Sequence, residues 1–332
     1  MRFNRRKFIK NTLVTGIGAG LLSPTTILGA NEQRANAGKR IGMIGLDTGH
    51  STAFVNSLNT DTSGRYDNYR VVAAYPKGTD NIVEWKNRIP AFTEEVRSHG
   101  VEIVNSIADL IGMVDYIILT TIDGNKHREQ VLPVLEAGLP VFVDKPFTAS
   151  LRDAREIAAA AKQRSTPLFS SSSLRFMDDA YAIRNGSSGR VLGVDAYSPA
   201  HLEAHHPDLF WYGIHGVEIL FTLMGTGCKS VQRTFTQNTE YVVGVWNDDR
   251  IGTFRGIREG AGGYGGMVFT ENGIQHLNKV DGYNALLEEI IRFFITKTPP
   301  VATEETLEII AFMEAAEKSK QQGGNPIALA AI

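Results

Sequence analysis

From Arg40 to about Thr148, short runs of β-branched and aliphatic residues alternate with longer stretches whose apolar positions follow a helical period. The runs at 41–45, 70–74, 101–105, 116–122 and 141–144 predict strands. Helices are predicted at about 50–58, 82–98, 107–113, 127–136 and 151–163. This rhythm is that of βαβ units and a parallel sheet. After about Pro167 the pattern changes. Runs at 167–174, 191–197, 231–235, 241–246, 250–257, 267–271 and 273–277 predict antiparallel strands, with turn chemistry at Asn247-Asp248-Asp249 and Asn272-Gly273. Helices are predicted at about 208–224 and 283–296, and a third begins near Thr303. The fold class is α/β: a doubly wound parallel sheet over 38–148, then over 149–332 an α+β domain with a large, mainly antiparallel sheet. A small-molecule site is expected at the carboxyl ends of the parallel strands, facing the second domain.

Residues 1–37 bear on where the protein works. They include Asn4-Arg5-Arg6-Lys7-Phe8-Ile9-Lys10, followed by an apolar, Gly-rich run over 12–22. A spanning helix needs about 20 apolar residues, so this run is not a stable membrane anchor. The paired arginines and Phe8 fit a twin-arginine export signal, with cleavage near Ala30 or at Ala35-Asn36-Ala37. The expected location is the periplasm, and the expected partner is the twin-arginine translocation machinery. A basic disordered tail ahead of a cytosolic enzyme is the competing reading, but it explains neither the apolar run nor the small residues after it. The roughly 295 residues that follow suit one large or two medium domains. Hydrophobic content of 42% and charged content of 21% are those of an ordinary globular protein. The formal net charge of −2, with no basic stripe, argues against a nucleic-acid partner. The single cysteine, Cys228, excludes an internal disulfide and a cysteine-based zinc site.

Candidate chemistry begins at Gly42-Met43-Ile44-Gly45-Leu46-Asp47-Thr48-Gly49-His50, where a dinucleotide fold places Gly-x-Gly-x-x-Gly. Gly45 matches, whereas Asp47 and His50 occupy the second and third glycine positions. A carboxylate facing a phosphate about 4 Å away costs on the order of 4 kcal/mol at an effective dielectric of about 20, unless Asp47 turns away or is paired, for instance with His50. Alternatively, Asp47 or Thr48 caps the next helix. The second strand ends Ala74-Tyr75-Pro76-Lys77, without the acid that holds a ribose 2′-hydroxyl. Lys77 would meet the 2′-phosphate of NADP or stand as a solvated surface lysine. The fifth strand ends Val143-Asp144-Lys145-Pro146-Phe147, where partial burial would lower the pKa of Lys145 and suit it to proton exchange.

At this point the chain resembles the glucose-fructose oxidoreductase, inositol dehydrogenase and MocA family (Gfo/Idh/MocA), over about residues 40–330. The resemblance rests on Asp144-Lys145-Pro146 for the family's Glu-Lys-Pro, on His127 with Leu135-Glu136-Ala137-Gly138, and on Gly213-Ile214-His215-Gly216-Val217-Glu218 for its Gly-x-His-x-x-Asp. Pro300-Val301-Ala302-Thr303-Glu304-Glu305 and Asn325-Pro326-Ile327 also follow the family style. The resemblance implies a Rossmann-like first domain and an NAD or NADP cofactor contacted by Gly45, Asp47, Thr48, His50, Lys77, His127 and Lys145. It further implies that Lys145 exchanges a proton with a sugar hydroxyl, that His215 is the acid/base partner beside the carbon exchanging hydride, and that the chain forms a homo-oligomer. Outside the cytoplasm such a cofactor would be held tightly and recycled, or used transiently as in some relatives that cleave glycosides. Trp211 replaces an aspartate common in the family, offering a face for stacking a sugar ring or simple core packing.

Upstream lies His201-Leu202-Glu203-Ala204-His205-His206-Pro207. If extended, it puts His201, Glu203 and His205 on one face, a possible divalent-metal set. Polar contacts from His205 and His206 to a carbohydrate, or a loop without function, are the other readings. Arg175 would orient substrate or form a structural salt bridge. The Gly-rich segment 260–266 reads as a flexible loop able to act as a lid. The functions in contention are an exported NAD(P)-dependent oxidoreductase on a sugar, sugar acid or glycoside, a metal-assisted lyase or hydrolase built on His50, His205, His206 and His215, and an inert carbohydrate-binding protein.

Overall fold

The computed structural model describes residues 38–278 and 282–332, so the export signal expected over 1–37 lies outside the described residues. The first sheet is built from β1 (Arg40–Ile44), β2 (Arg70–Tyr75), β3 (Glu102–Ile103), β4 (Tyr116–Leu119), β5 (Val141–Asp144) and β6 (Leu168–Ser171). All its pairings are parallel and the strand order is β3-β2-β1-β4-β5-β6. Every residue of β4, β5 and β6 is buried, as expected of a parallel sheet covered on both faces. The order reverses between β1 and β4, which opens a crevice above their carboxyl ends.

Helices α1 (Gly49–Thr60), α2 (Val83–Lys86), α3 (Ile89–Ser98), α4 (Ile107–Ile111), α5 (His127–Glu136) and α6 (Leu151–Arg164) join these strands. The single helix expected over 82–98 is two helices, because Pro90 in the first turn of α3 suits a helix start and not an interior. The larger correction concerns β6. It was expected to open an antiparallel sheet, yet it is the sixth parallel strand, Val141 standing opposite Leu168. The first sheet therefore runs to Ser171, beyond the boundary expected at 148.

A short 3₁₀ turn (Ser173–Phe176) and α7 (Asp178–Arg184), which the hydrophobic pattern did not reveal, lead into the second sheet. Its strands are β7 (Val191–Pro199), β8 (Cys228–Phe235), β9 (Thr239–Trp246), β10 (Ile251–Ile257), β11 (Gly265–Thr270), β12 (Gly273–Leu277) and β13 (Ile327–Ala328), in the order β12-β11-β7-β10-β9-β8-β13. All pairs are antiparallel except β7 with β10. Between β7 and β8 the chain forms a π-helical turn (Leu209–Gly213) that continues into α8 (Ile214–Met224). All eleven residues of α8 are buried, the mark of a helix packed on every side. A Cβ at Gly216 would fall 2.2 Å from Phe254, so this glycine lets α8 lie close on β10.

After β12 come α9 (Asn284–Thr296) and α10 (Thr303–Gln321). Although α9 follows the second sheet in sequence, it packs back on the first. Phe293 meets Phe169 with ring centroids 5.0 Å apart, and Phe294 stacks on Tyr116 at 4.6 Å. That face of the first sheet shares one core with α1, α3 and α9, while the other face shares a core with α5, α6, α8, α10 and the second sheet. Among the described residues no helix is long and apolar enough to cross a membrane.

Candidate active site

A cavity of about 410 Å³ lies at the carboxyl ends of the parallel strands, with Thr48, His50, Lys145, Trp211 and His215 in its wall. Thr48 is the N-cap of α1, its hydroxyl accepting from the His50 amide at 3.2 Å. Gly49 adjoins it, and a Cβ there would meet nothing within 4 Å. Gly45 adopts φ +84°, and a Cβ there would lie 2.2–2.7 Å from Thr121. Only glycine allows the β1 turn to pass so close to the chain leaving β4.

Asp47 turns away from the cavity. It is fully buried, and its carboxylate accepts from the Thr79 amide at 2.6 Å and the Ile122 amide at 2.9 Å, joining the turns after β1, β2 and β4. Gly78 lies against it, since a Cβ there would fall 1.9 Å from the carboxylate. The partners are these amides and not His50, and Asp47 is not part of the cavity wall. Burial raises the Asp47 carboxyl to about 6, the two amides opposing the rise. The folded state thus binds this proton more tightly than the unfolded chain. The contribution of Asp47 to stability is greatest where it is protonated and declines as pH rises from about 4 through about 6. The difference from the ordinary 3.8 amounts to on the order of 3 kcal/mol by neutral pH. Asp47→Asn is expected to remove that slope, read as the difference between wild-type and variant urea midpoints at about pH 4.5 and about pH 7.5.

At the end of β5, the Nδ1 atom of His50 lies 2.5 Å from Oδ2 of Asp144, whose Oδ1 accepts from the Lys145 amide at 2.8 Å. Burial alone would raise the Asp144 carboxyl, but the His50 ring and the Lys145 ammonium outweigh it and hold the carboxyl below its usual range. Burial lowers the Lys145 ammonium, against the pull of Asp144 and Asp47. The Lys145 side chain reaches the cavity from a half-buried position.

The opposite wall comes from α8 and the turn before it. His215 Nδ1 is 2.7 Å from the Ser172 hydroxyl, and the ring stands 5.5 Å from Tyr264. Burial, reinforced by the nearby Lys145, holds His215 well below its usual value, so the ring is neutral. Rotation of the Ser172 hydroxyl lets Nε2 present either a proton or a lone pair. Trp211, 6% exposed, packs with Ile82 and Ile122 and also reaches the cavity wall. It joins Trp85 of α2 at 6.3 Å to form an aromatic wall of the cavity. The Arg88 guanidinium lies 4.1 Å above Trp85 at the same wall.

Other expected residues are placed elsewhere. His127 is fully buried, with Nδ1 3.1 Å from the Phe147 carbonyl and Nε2 2.6 Å from the Thr121 carbonyl. At the first turn of α5 its ring points inward and ties two strand-end turns together, so it lines no cofactor cavity. Arg175 is also fully buried, 2.9 Å from Glu218 and 2.5 Å from Glu305. It is a structural ion pair and does not orient substrate. Lys77 is exposed after β2 and outside the cavity wall.

His201, Glu203 and His205 do not converge. His205 is exposed and 2.9 Å from Glu203, whereas His201 packs against Tyr212. Among the described residues no three His, Cys, Asp or Glu side chains are placed to hold a metal. His206 is buried behind Trp211, its Nε2 accepting from the Gly124 amide at 3.2 Å and lying 3.4 Å from Asp123. In the Gly-rich segment, Gly265 and Gly266 begin β11, and Tyr264 enters the cavity wall. Trp85, Arg88, Ser172, Tyr264 and Tyr283 are site residues that pattern reading did not single out. The serine run Ser170-Ser171-Ser172-Ser173, which closes β6, pointed toward Ser172, and the Gly-rich segment 260–266 contained Tyr264 without marking its role.

Residues 39–171 match the model of the oxidoreductase family with an NAD-binding Rossmann fold. The chain is 32% identical over 108 residues to a 1,5-anhydro-D-fructose reductase of Ensifer adhaerens, covering 31% of this chain and 32% of that protein. It is 27% identical over 178 residues to an inositol 2-dehydrogenase of Klebsiella pneumoniae, covering 50% of each. The chain thus spans about a third to a half of these curated relatives. Over 88% of its length it superimposes on apo scyllo-inositol dehydrogenase of Lactobacillus casei, covering 98% of that chain with a TM-score of 0.71 at 16% identity. The same enzyme with NAD(H) and scyllo-inositol gives a TM-score of 0.69 at 14% identity, covering 88% of this chain and 99% of that one. These structures establish the fold as the two-domain one, a parallel Rossmann sheet followed by a mixed, mostly antiparallel sheet.

Proposed function

We propose that this protein is an NAD(P)-dependent oxidoreductase acting on a hydroxyl of a sugar, sugar acid or glycoside, with Lys145 and His215 as the acid/base pair. The observation that carries this reading is the meeting of Lys145, His215 and the α1 N-terminus in one cavity at the sheet's switch point. The residues present suit a dinucleotide. Gly45 gives a close turn, Gly49 leaves open space at the cap of α1, and the Asp47 carboxylate is held by backbone amides outside the cavity wall, so the cap of α1 would be free to hold a pyrophosphate. When bound, the nicotinamide supplies the hydride acceptor or donor. The Lys145 amine, its ammonium form disfavoured by burial, takes up the hydroxyl proton during oxidation and returns it during reduction. His215 holds the reacting hydroxyl through Nε2, and Trp211 and Trp85 shield the site from water and offer a stacking face.

The test is to purify the protein from its own cytoplasmic precursor and look for nucleotide by absorbance and mass spectrometry. Retained NAD(H) or NADP(H), or micromolar binding on titration, is the expected result. No nucleotide and no binding of either would overturn the reading.

The proposed place of action is the periplasm, supported by Arg5-Arg6 and the apolar run after them. Arg5→Lys combined with Arg6→Lys is expected to leave the protein in the cytoplasm, read by fractionation beside the wild type. Equal export of both would refute the twin-arginine route. Homo-oligomer assembly through the second sheet, where Ile251 and Ile274 are exposed, belongs to the same proposal.

A further inference from the structure

Two departures from the family pattern, 94 residues apart in sequence, meet in the fold. His50 stands where the turn after β1 would have its third glycine, and Asp144 stands where the family has the longer glutamate before Lys-Pro. Their side chains are 2.5 Å apart, Nδ1 to Oδ2. Asp144 is 1% exposed and its other oxygen is fixed by the Lys145 amide, so the carboxylate cannot rotate away. The His50 ring is packed by Tyr283, with centroids 4.5 Å apart, and by Phe54 at 5.7 Å. Its Nε2 has no protein partner among the described residues, and the residue lines the cavity. The groups facing it are Asp144 and Lys145 from the end of β5, His215 from α8 and Tyr283 from the start of α9.

A carboxylate that accepts from Nδ1–H fixes the tautomer of an imidazole, leaves a lone pair on Nε2 and stabilises the cation formed when Nε2 gains a proton. A histidine serving only to tie two turns together would not need its second nitrogen open to the cavity. We infer that His50, oriented by Asp144, is a second proton-transfer group of this site, its Nε2 taking a proton from a bound hydroxyl and returning it. In that step the O–H bond breaks and an N–H bond forms at Nε2. The imidazolium is then paired with the Asp144 carboxylate, and no oxidant is consumed. The identity of the hydroxyl rests on the oxidoreductase reading, whereas the tautomer does not.

The test uses full-length protein labelled with ¹⁵N-histidine, with the His50 signals assigned by their loss in His50→Gln. The expected spectrum at neutral pH has Nδ1 protonated and Nε2 bare, and Asp144→Asn shifts the population toward Nε2–H while the His215 signals keep their positions. A wild-type His50 that is protonated on Nε2, or that ignores Asp144→Asn, would overturn the inference. With a polyol that the wild type oxidises, His50→Gln is expected to lower kcat by roughly 10²–10⁴-fold and to remove one limb of the pH profile, with nucleotide affinity changed by less than about threefold. An unchanged pH profile with only nucleotide affinity lost would make His50 a positioning residue of the cofactor turn and sink the proposal. If no polyol is oxidised, the oxidoreductase reading fails and the tautomer measurement decides the inference alone.

Discussion

Lys145→Met is expected to lower turnover by roughly 10²–10⁴-fold while leaving the fold and nucleotide affinity nearly unchanged. Methionine fills similar volume but carries no exchangeable proton, so the hydroxyl loses the group proposed to accept its proton. The loss should fall on kcat, because the nitrogen matters most as charge develops on the hydroxyl oxygen. Asp144 loses the ammonium that helps hold its carboxyl down, yet it keeps the His50 hydrogen bond and the backbone contact, so the strand end should stay in place. The check is steady-state kinetics beside circular dichroism and nucleotide titration. Retention of more than about a tenth of wild-type kcat would remove Lys145 from the proposed proton path.

Arg175→Met should act in the opposite way, through stability and not through substrate. The guanidinium lies between Glu218 and Glu305 with none of its surface exposed. Burial already raises the Glu218 carboxyl, with Arg175 as the opposing influence. Removing one member of a buried ion pair leaves charge without compensation and costs roughly 3–5 kcal/mol. For a protein of this size that is a fall in Tm on the order of 10 °C. Apparent affinity for a polyol substrate should be unaffected at temperatures where the variant is folded. A large rise in KM with an unchanged Tm would restore Arg175 as a substrate contact.

The parallel sheet was legible in the sequence because β4 and β5 are continuous apolar runs bounded by helical periods. Four consecutive buried positions leave little else for such a run to be. Leu168-Phe169-Ser170-Ser171 reads differently, since half of it is serine, and its pairing with β5 is made across the whole of α6. Strand identity is local, whereas strand partnership is not. The site shows the same division. Lys145 could be found because it closes a predicted strand, and His215 because its Gly-x-His surroundings carry the resemblance noted from sequence. His127 and Arg175 carry equally polar side chains, but only the packing shows that both turn inward. The meeting of His50 with Asp144, and of Trp85 with Trp211, joins segments whose separation in sequence contains no signal of contact.

The return of α9 to the first sheet has a consequence for the order of events at the ribosome. Phe142 and Phe169 belong to the apolar face that α9 covers, and Phe293 lies about 120 residues after β6. At roughly 5–20 residues per second, that interval is about 6–25 seconds of synthesis during which the sheet's apolar face lacks the part of its cover that α9 provides. The half built on the first sheet therefore cannot complete its folding as an autonomous N-terminal unit during translation. It is finished only when the chain is nearly complete, and a chaperone that masks apolar surface would be needed longest by residues translated early.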